Sequence, residues 1–325
     1  MTSGESPGRP GASVFSIEGR AAPGLYVVGW LASLVGFVVT VIGYLGGQSG
    51  AGPVLFAVGL AVLGLGLVAA AGAQAIERKT RGRDAYTGPS PVLVFAGSIP
   101  VAYLGALLLG VLFDTFHLGI SRPLAELLLV TIQGGAYLLL IALLVVNSGA
   151  LSWREMGFRR DLRGAVQDVG WGVVFAPPII FLTLLLTAVL VVIFRVAPES
   201  PLPPTGDASG LVLHLIAGAI VAPFAEETLF RGLATTAWVR SFGIRQGIIR
   251  GALFFAFAHV LLVGGSTVGE GAALAFVGFV GRLPIAIVLG WVFVRRNSIY
   301  ASMGLHGAFN GVLLILAEMS LRAAG

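Results

Sequence analysis

Glu226 and Glu227 stand side by side in "APFAEETLFRG", residues 222–232, with Arg231 one helical turn beyond Glu227. Two other stretches of the same apolar region carry chemically capable side chains at helical spacing. "FAFAH" ends at His259 with Phe255 one turn before it, and "HGAFN" sets His306 and Asn310 four apart. Residues four apart share a helix face. A carboxylate and a guanidinium so placed can pair, and a paired charge is the tolerable kind in a dry site, so Glu227 with Arg231 reads as structural. Glu226 is turned about 100° away from Glu227 and has no cation four residues on, which leaves its carboxylate to accept a proton. Glu226 is therefore the candidate general base. His259, brought from another helix, would hold the water that Glu226 deprotonates, and His306 and Asn310 each offer an N–H to a developing tetrahedral oxyanion. Phe255 reads as packing against the histidine. Together these groups describe a peptide hydrolase that needs no Ser or Cys nucleophile.

Taken singly, each group has a plainer reading: a surface ion pair at a helix end, a core histidine bonded across helices, an Asn that joins two helices. Their convergence in one apolar region favours function, because ionisable groups inside a membrane are expensive to keep. That region belongs to a chain of 325 residues, 57% apolar and only 11% charged, with a mean hydropathy of +0.95. An ordinary soluble domain carries roughly 25% charged residues. The expected fold class is an all-α, polytopic transmembrane helical bundle of about nine spans with the catalytic core in the carboxy-terminal helices, since crossing a bilayer takes about 20 helical residues. The spans are placed at 25–46, 53–76, 92–113, 124–147, 170–194, 211–230, 247–265, 271–294 and 300–320. The seventh is rich in Gly, and the eighth contains Arg282 and Pro284.

Lys and Arg residues alternate along the connections: two in the amino-terminal tail, then none, four, one, four, one, three, none and two. By the positive-inside rule the tail and every second loop are cytoplasmic. Glu226 and Glu227 then approach the cytoplasmic side, with His306 and Asn310 about 10 to 16 Å into the membrane on a rising helix. The expected location is the cell membrane, multi-pass, with a cytoplasmic amino terminus and the site in the cytoplasmic half. The net charge of +5 reads as topology, with attraction to anionic lipid as a by-product. No basic soluble surface exists for nucleic acid. Residues 1–23 are expected to be a disordered cytoplasmic tail, 24–147 the amino-terminal transmembrane helices, 148–210 a connecting segment with the fifth span, and 211–320 the protease core. The absence of cysteine excludes disulfides and thiolate chemistry. His117 and His214 have no partner at useful spacing and read as structural or interfacial, while Asp168 and Glu318 have no assigned place.

"EETLFR", "FAFAH" and "HGAFN" resemble, in order and spacing, the E-E-x-x-x-R, F-x-x-x-H and H-x-x-x-N/D motifs of the CPBP intramembrane proteases. That Abi-like group includes the type II CAAX prenyl endopeptidases and bacteriocin-processing enzymes. "LSWREMGFRRD" at 151–161 is similar to a short segment such proteins often carry before the core. The resemblance implies Glu226 and His259 as the water-activating pair, His306 and Asn310 as the oxyanion hole, and Glu227 and Arg231 as supporting members. Arg282 has no place in that pattern. The implied partners are a membrane-associated protein or peptide substrate and the lipid bilayer. No cofactor is expected; the alternative is a zinc-dependent protease with Glu226, His259 and His306 as ligands. The other alternative is a non-proteolytic scaffold or transporter using the same pocket, although no inverted repeat of the transporter kind is visible.

Overall fold

The computed structural model describes residues 17–324 apart from 18, 48, 49, 83, 84 and 199. The tail expected over 1–23 thus lies mostly outside the described residues. Every regular element among them is helical, as the composition predicts. The chain divides into two compact units, residues 1–104 and 105–325.

In the first unit, helix α1 (Pro23–Leu45) and helix α2 (Gly52–Arg81) form an antiparallel hairpin. Its contact is made by small residues. Gly29, Gly36 and Gly43 recur every seven positions on α1 and are buried, and a Cβ at Gly36 would fall inside contact distance of the Leu63 backbone. Lipid gives helices no hydrophobic reason to associate, so close backbone approach through small residues does it. The opposite face, including Leu31, Leu34, Val35 and Val38, is exposed apolar surface suited to acyl chains. Gly36→Val is expected to separate the hairpin, at about 1–3 kcal/mol or more for overpacking, and a lower midpoint in thermal unfolding of the full chain would register it. Helix α3 (Pro91–Thr115) then carries the chain onward.

The second unit holds α4 (Arg122–Val146), α5 (Leu162–Val173), α6 (Ala176–Phe194), α7 (Ala208–Phe242), α8 (Ile244–Ala258), α9 (Val268–Arg296) and α10 (Ile299–Ala324). Its core lies where α6, α9 and α10 meet, around Ile180, Leu289, Val292, Leu305 and Phe309. Among the described residues eight helical stretches are long and apolar enough to cross a membrane. The region expected as the seventh span, 247–265, instead holds α8, whose 15 residues reach only about 22 Å. Its apolar count was that of a span, but the helix stops at His259 and the chain turns before Gly264 and Gly265. The eighth expected span is one continuous helix through Pro284.

The sixth span also differs from its sequence reading. It does not end near the glutamate pair but continues to Phe242, where Gly243 at φ 82° breaks it. Its 35 residues would be about 52 Å long as regular α-helix. Two π-helical stretches, Ile216–Val221 and Thr228–Thr235, bracket the short α-helical piece Ala222–Glu227. Such wide turns concentrate at functional sites because they re-aim side chains out of the regular register.

Residues 151–161 form no helix, yet they tie several elements together. Leu151 and Met156 are buried, and the Gly157 carbonyl accepts from the Ile299 N–H at the start of α10. Asp161 caps α5 by accepting from Gly164 N at 2.9 Å. The buried Asp168 pairs with Arg159 at 2.5 Å and with Arg296 at 2.6 Å, which gives that residue a structural place. Glu155 pairs with Arg240 at the end of α7, 2.8 Å. The Arg240 hydrogen bond, with bonds from Ser152, lowers the Glu155 pKa from 4.5 to about 2. Because the folded value is depressed, this tie stabilises the fold above pH 4.5 and is lost as pH falls toward 2. Glu155→Gln is expected to flatten that part of the stability profile by a modest amount, since the pair is solvent-exposed. Thermal midpoints of both proteins measured across this acid range check it.

Candidate active site

The polar side chains singled out in the sequence come from three helices, and most of them meet. Glu227 lies on α7 and is fully buried, with Oε1 accepting from Arg231 Nη1 at 2.9 Å. The same oxygen faces His306 Nδ1 of α10 at 2.8 Å. Arg231, 1% exposed, donates its second nitrogen to the Ala286 carbonyl of α9 at 3.2 Å. A carboxylate so held is a scaffold group, since both charges are compensated inside the protein. The Glu227–Arg231 pair expected from spacing is therefore present, and it also seats a histidine.

Glu226 points elsewhere. Its Oε2 lies 3.4 Å from His259 Nε2 and 3.9 Å from His306 Nε2, with 20% of its side chain exposed. That oxygen makes no hydrogen bond among the described residues. His259 closes α8, and its Nδ1 stands 2.8 Å from the Phe255 carbonyl. A carbonyl only accepts, so Nδ1 carries a hydrogen and Nε2 is the ring nitrogen turned toward Glu226. The histidine's orientation is thus set by the local bond to the residue one turn before it.

Phe255 does more than contact one histidine. Its ring lies 4.3 Å from that of His259, edge-on to His306 at 5.6 Å, and under the Arg231 guanidinium at 4.4 Å. It fills the space between the two imidazoles and the cation, where a smaller side chain would admit water. Asn310, one turn beyond His306 on α10, takes its bond outside this group. Its Nδ2 donates to the Gly218 carbonyl in the first π-helical stretch of α7, 2.8 Å away, and its second amide hydrogen is not used in that bond. π-Helical turns leave carbonyls poorly paired, and Asn310 satisfies one of them.

Among the described residues no three or more His, Asp or Glu side chains are arranged to hold a metal ion. Glu226, His259 and His306 approach one another through the single Glu226 oxygen, at the two distances above. An apolar groove of about 530 Å³ opens beside Phe224, lined also by Leu138, Leu139, Trp153, Phe158 and Tyr300. None of the candidate catalytic residues lines it.

The structure also brings in α4, which carries no motif. Gly134 packs against Ala225, and one turn on Tyr137 is buried within range of the Glu226 charge, its hydroxyl accepting from Gln133 at 2.8 Å. A Gln and a Tyr four apart in an apolar span were the available signal. Glu126 of the same helix pairs with the buried His214 at 2.6 Å and with Arg122 at 2.9 Å. His214, read from spacing as having no partner, thus has one 88 residues away. Glu318 accepts from Thr205 N at 2.8 Å and pairs with Arg322, apart from the glutamate–histidine group.

The fold and this group of residues define a class: a multi-pass membrane protein with a buried glutamate–histidine–arginine network and a second, less enclosed glutamate beside two histidines. Residues 208–312 match the family model described as type II CAAX prenyl endopeptidase Rce1-like. The match contains all three motifs, so the resemblance drawn from them is borne out, and it supports an endopeptidase acting at the membrane. No curated protein and no solved structure matches the chain.

Proposed function

We propose that the protein is an intramembrane endopeptidase that hydrolyses a peptide bond of a membrane-associated substrate, with water activated between Glu226 and His259. The observation that carries this is the unbonded Glu226 oxygen facing Nε2 of His259, beside a network that holds His306 through its Nδ1. Glu226 takes one proton from the water while the oxygen adds to the substrate carbonyl; the same proton then passes to the leaving amine as the C–N bond breaks. The second water hydrogen stays on the new carboxyl group until it is released to solvent. His306, its Nδ1 held on Glu227, faces the oxyanion through Nε2, and Asn310 contributes its remaining N–H. No metal takes part in this scheme. The Lys and Arg distribution supports a cytoplasmic amino terminus with the site opening to the cytoplasmic half.

The test is cleavage of a library of apolar peptides by the full chain in nanodiscs, with and without a strong chelator. Cleavage that survives the chelator is the expected result. Loss in chelator with rescue by zinc would make Glu226 and the histidines metal ligands instead. A wild type that cuts nothing, with Glu226→Ala indistinguishable from wild type in cells, would leave a binding or scaffold role in its place.

A further inference from the structure

Arg282 sits at the midpoint of α9, a helix of membrane-spanning length. A guanidinium at that depth is retained only where it lines a polar cavity or meets a partner. Its recorded bond is to the Gly278 carbonyl of its own helix, Nη1 to O at 3.0 Å. Among the described residues Arg282 forms no ion pair, in contrast to the buried Arg231 with its carboxylate and carbonyl. Most of the donors of a five-donor fork are therefore available to something else.

Three observations place that fork at the site. The carboxylate whose charge reaches Arg282 is Glu226. A methyl group added at Gly278 would lie 3.1 Å both from Arg282 Nη1 and from Val260, the residue after His259. Ala286, whose carbonyl holds Arg231, is one turn further along the same helix. The cation thus flanks the proposed water-activating pair on the α9 side, outside all three motifs.

A planar guanidinium with free donors beside a hydrolytic centre matches one substrate group above others, a carboxylate held bidentately. We propose that Arg282 is a carboxylate subsite that binds a carboxylate of the substrate peptide near the scissile bond and so determines specificity. This rests on the endopeptidase reading. The carboxylate has two sources, a free carboxyl terminus or an Asp or Glu side chain, and both present the same chemistry to Arg282.

The experiment compares a cleaved library peptide in three forms, with a free acid terminus, with an amide terminus, and with an amide terminus plus one Asp on the leaving side. Wild type, Arg282→Gln and Arg282→Lys are assayed in nanodiscs. Wild type is expected to prefer at least one carboxylate form over the plain amide by roughly ten-fold in kcat/KM, through KM, as fits loss of a charge-assisted contact made equally in ground and transition states. Arg282→Gln is expected to lose the preference, and Arg282→Lys to keep part of it. Which form is preferred identifies the source. A loss confined to kcat and equal for all three peptides would overturn the proposal, since it would make Arg282 an oxyanion donor.

A second arm reads binding without catalysis: N-acetylated apolar tripeptides, as acid, amide, or amide with one Asp, are tested for protection of each protein against thermal unfolding. A carboxylate preference present in wild type and absent in Arg282→Gln supports the subsite even for a chain that cuts none of the library. No preference in wild type in either arm, or an undiminished preference in a folded Arg282→Gln, overturns it.

Discussion

Glu226→Gln is expected to lower kcat for peptide cleavage by about 10²- to 10⁴-fold, the contribution of a positioned general base, and to leave the folded protein no less stable. Both halves follow from one observation. The Glu226 Oε2 is buried without a hydrogen-bond partner, so no hydrogen bond of that oxygen is lost when an amide replaces it. An ionised carboxylate without a bonded partner is a cost to the fold that function maintains, and relieving such a cost commonly raises stability. The amide keeps the shape but cannot accept the water proton, so the loss falls on kcat with KM little changed. Glu227→Gln is the control from the adjacent residue. Its carboxylate is fully buried and bonded on Oε1 to two partners, so that substitution is expected to lower the thermal midpoint. Steady-state cleavage and thermal unfolding on both variants decide the matter. Retained activity in Glu226→Gln would sink the base assignment, and a collapse in its stability would move Glu226 into the scaffold with Glu227.

The motifs that led to this assignment were legible because a bilayer makes charge conspicuous. Glu226, Glu227, Arg231, His259 and His306 were visible as ionisable groups in otherwise apolar stretches, and helical spacing was enough to pair Glu227 with Arg231. What spacing misses is any partner on a distant element. The bonds from His306 to Glu227 and from His214 to Glu126 join residues 79 and 88 positions apart. Tyr137 and Gln133 carry no charge, so that polar pair in α4 did not point to Glu226 on another helix. Helix extents were read from apolar length, which counts α8 as a span although its helix ends at Ala258. That measure also stops α7 near its first charges although the helix runs on to Phe242. The π-helical turns around Ala222–Glu227 are equally invisible to a method that assumes 3.6 residues per turn. Between them, the two adjacent glutamates of the regular helical piece send one carboxylate to Arg231 and the other toward His259.

Arg231→Met should destabilise the protein by about 3–5 kcal/mol, the cost of leaving a buried charge without its partner. Arg231 is 1% exposed and answers Glu227, which is fully buried. Methionine preserves much of the apolar stem but removes the cation, the bond to the Ala286 carbonyl and the stacking over Phe255. Glu227 would then face only His306. The Arg231→Met/Glu227→Gln double variant should recover part of the loss, since a buried amide is cheaper than an orphaned carboxylate; the interaction energy comes from the double-mutant cycle. Rates of thermal inactivation in nanodiscs give the comparison where unfolding is irreversible. Should Arg231→Met prove as stable as wild type, the network would not be the scaffold that holds His306, and the fixed orientation on which the oxyanion role depends would need another source. If stability falls and the double variant restores it without restoring cleavage, the network has separable tasks: it holds α7, α9 and α10 together, and through Glu227 it orients the His306 imidazole.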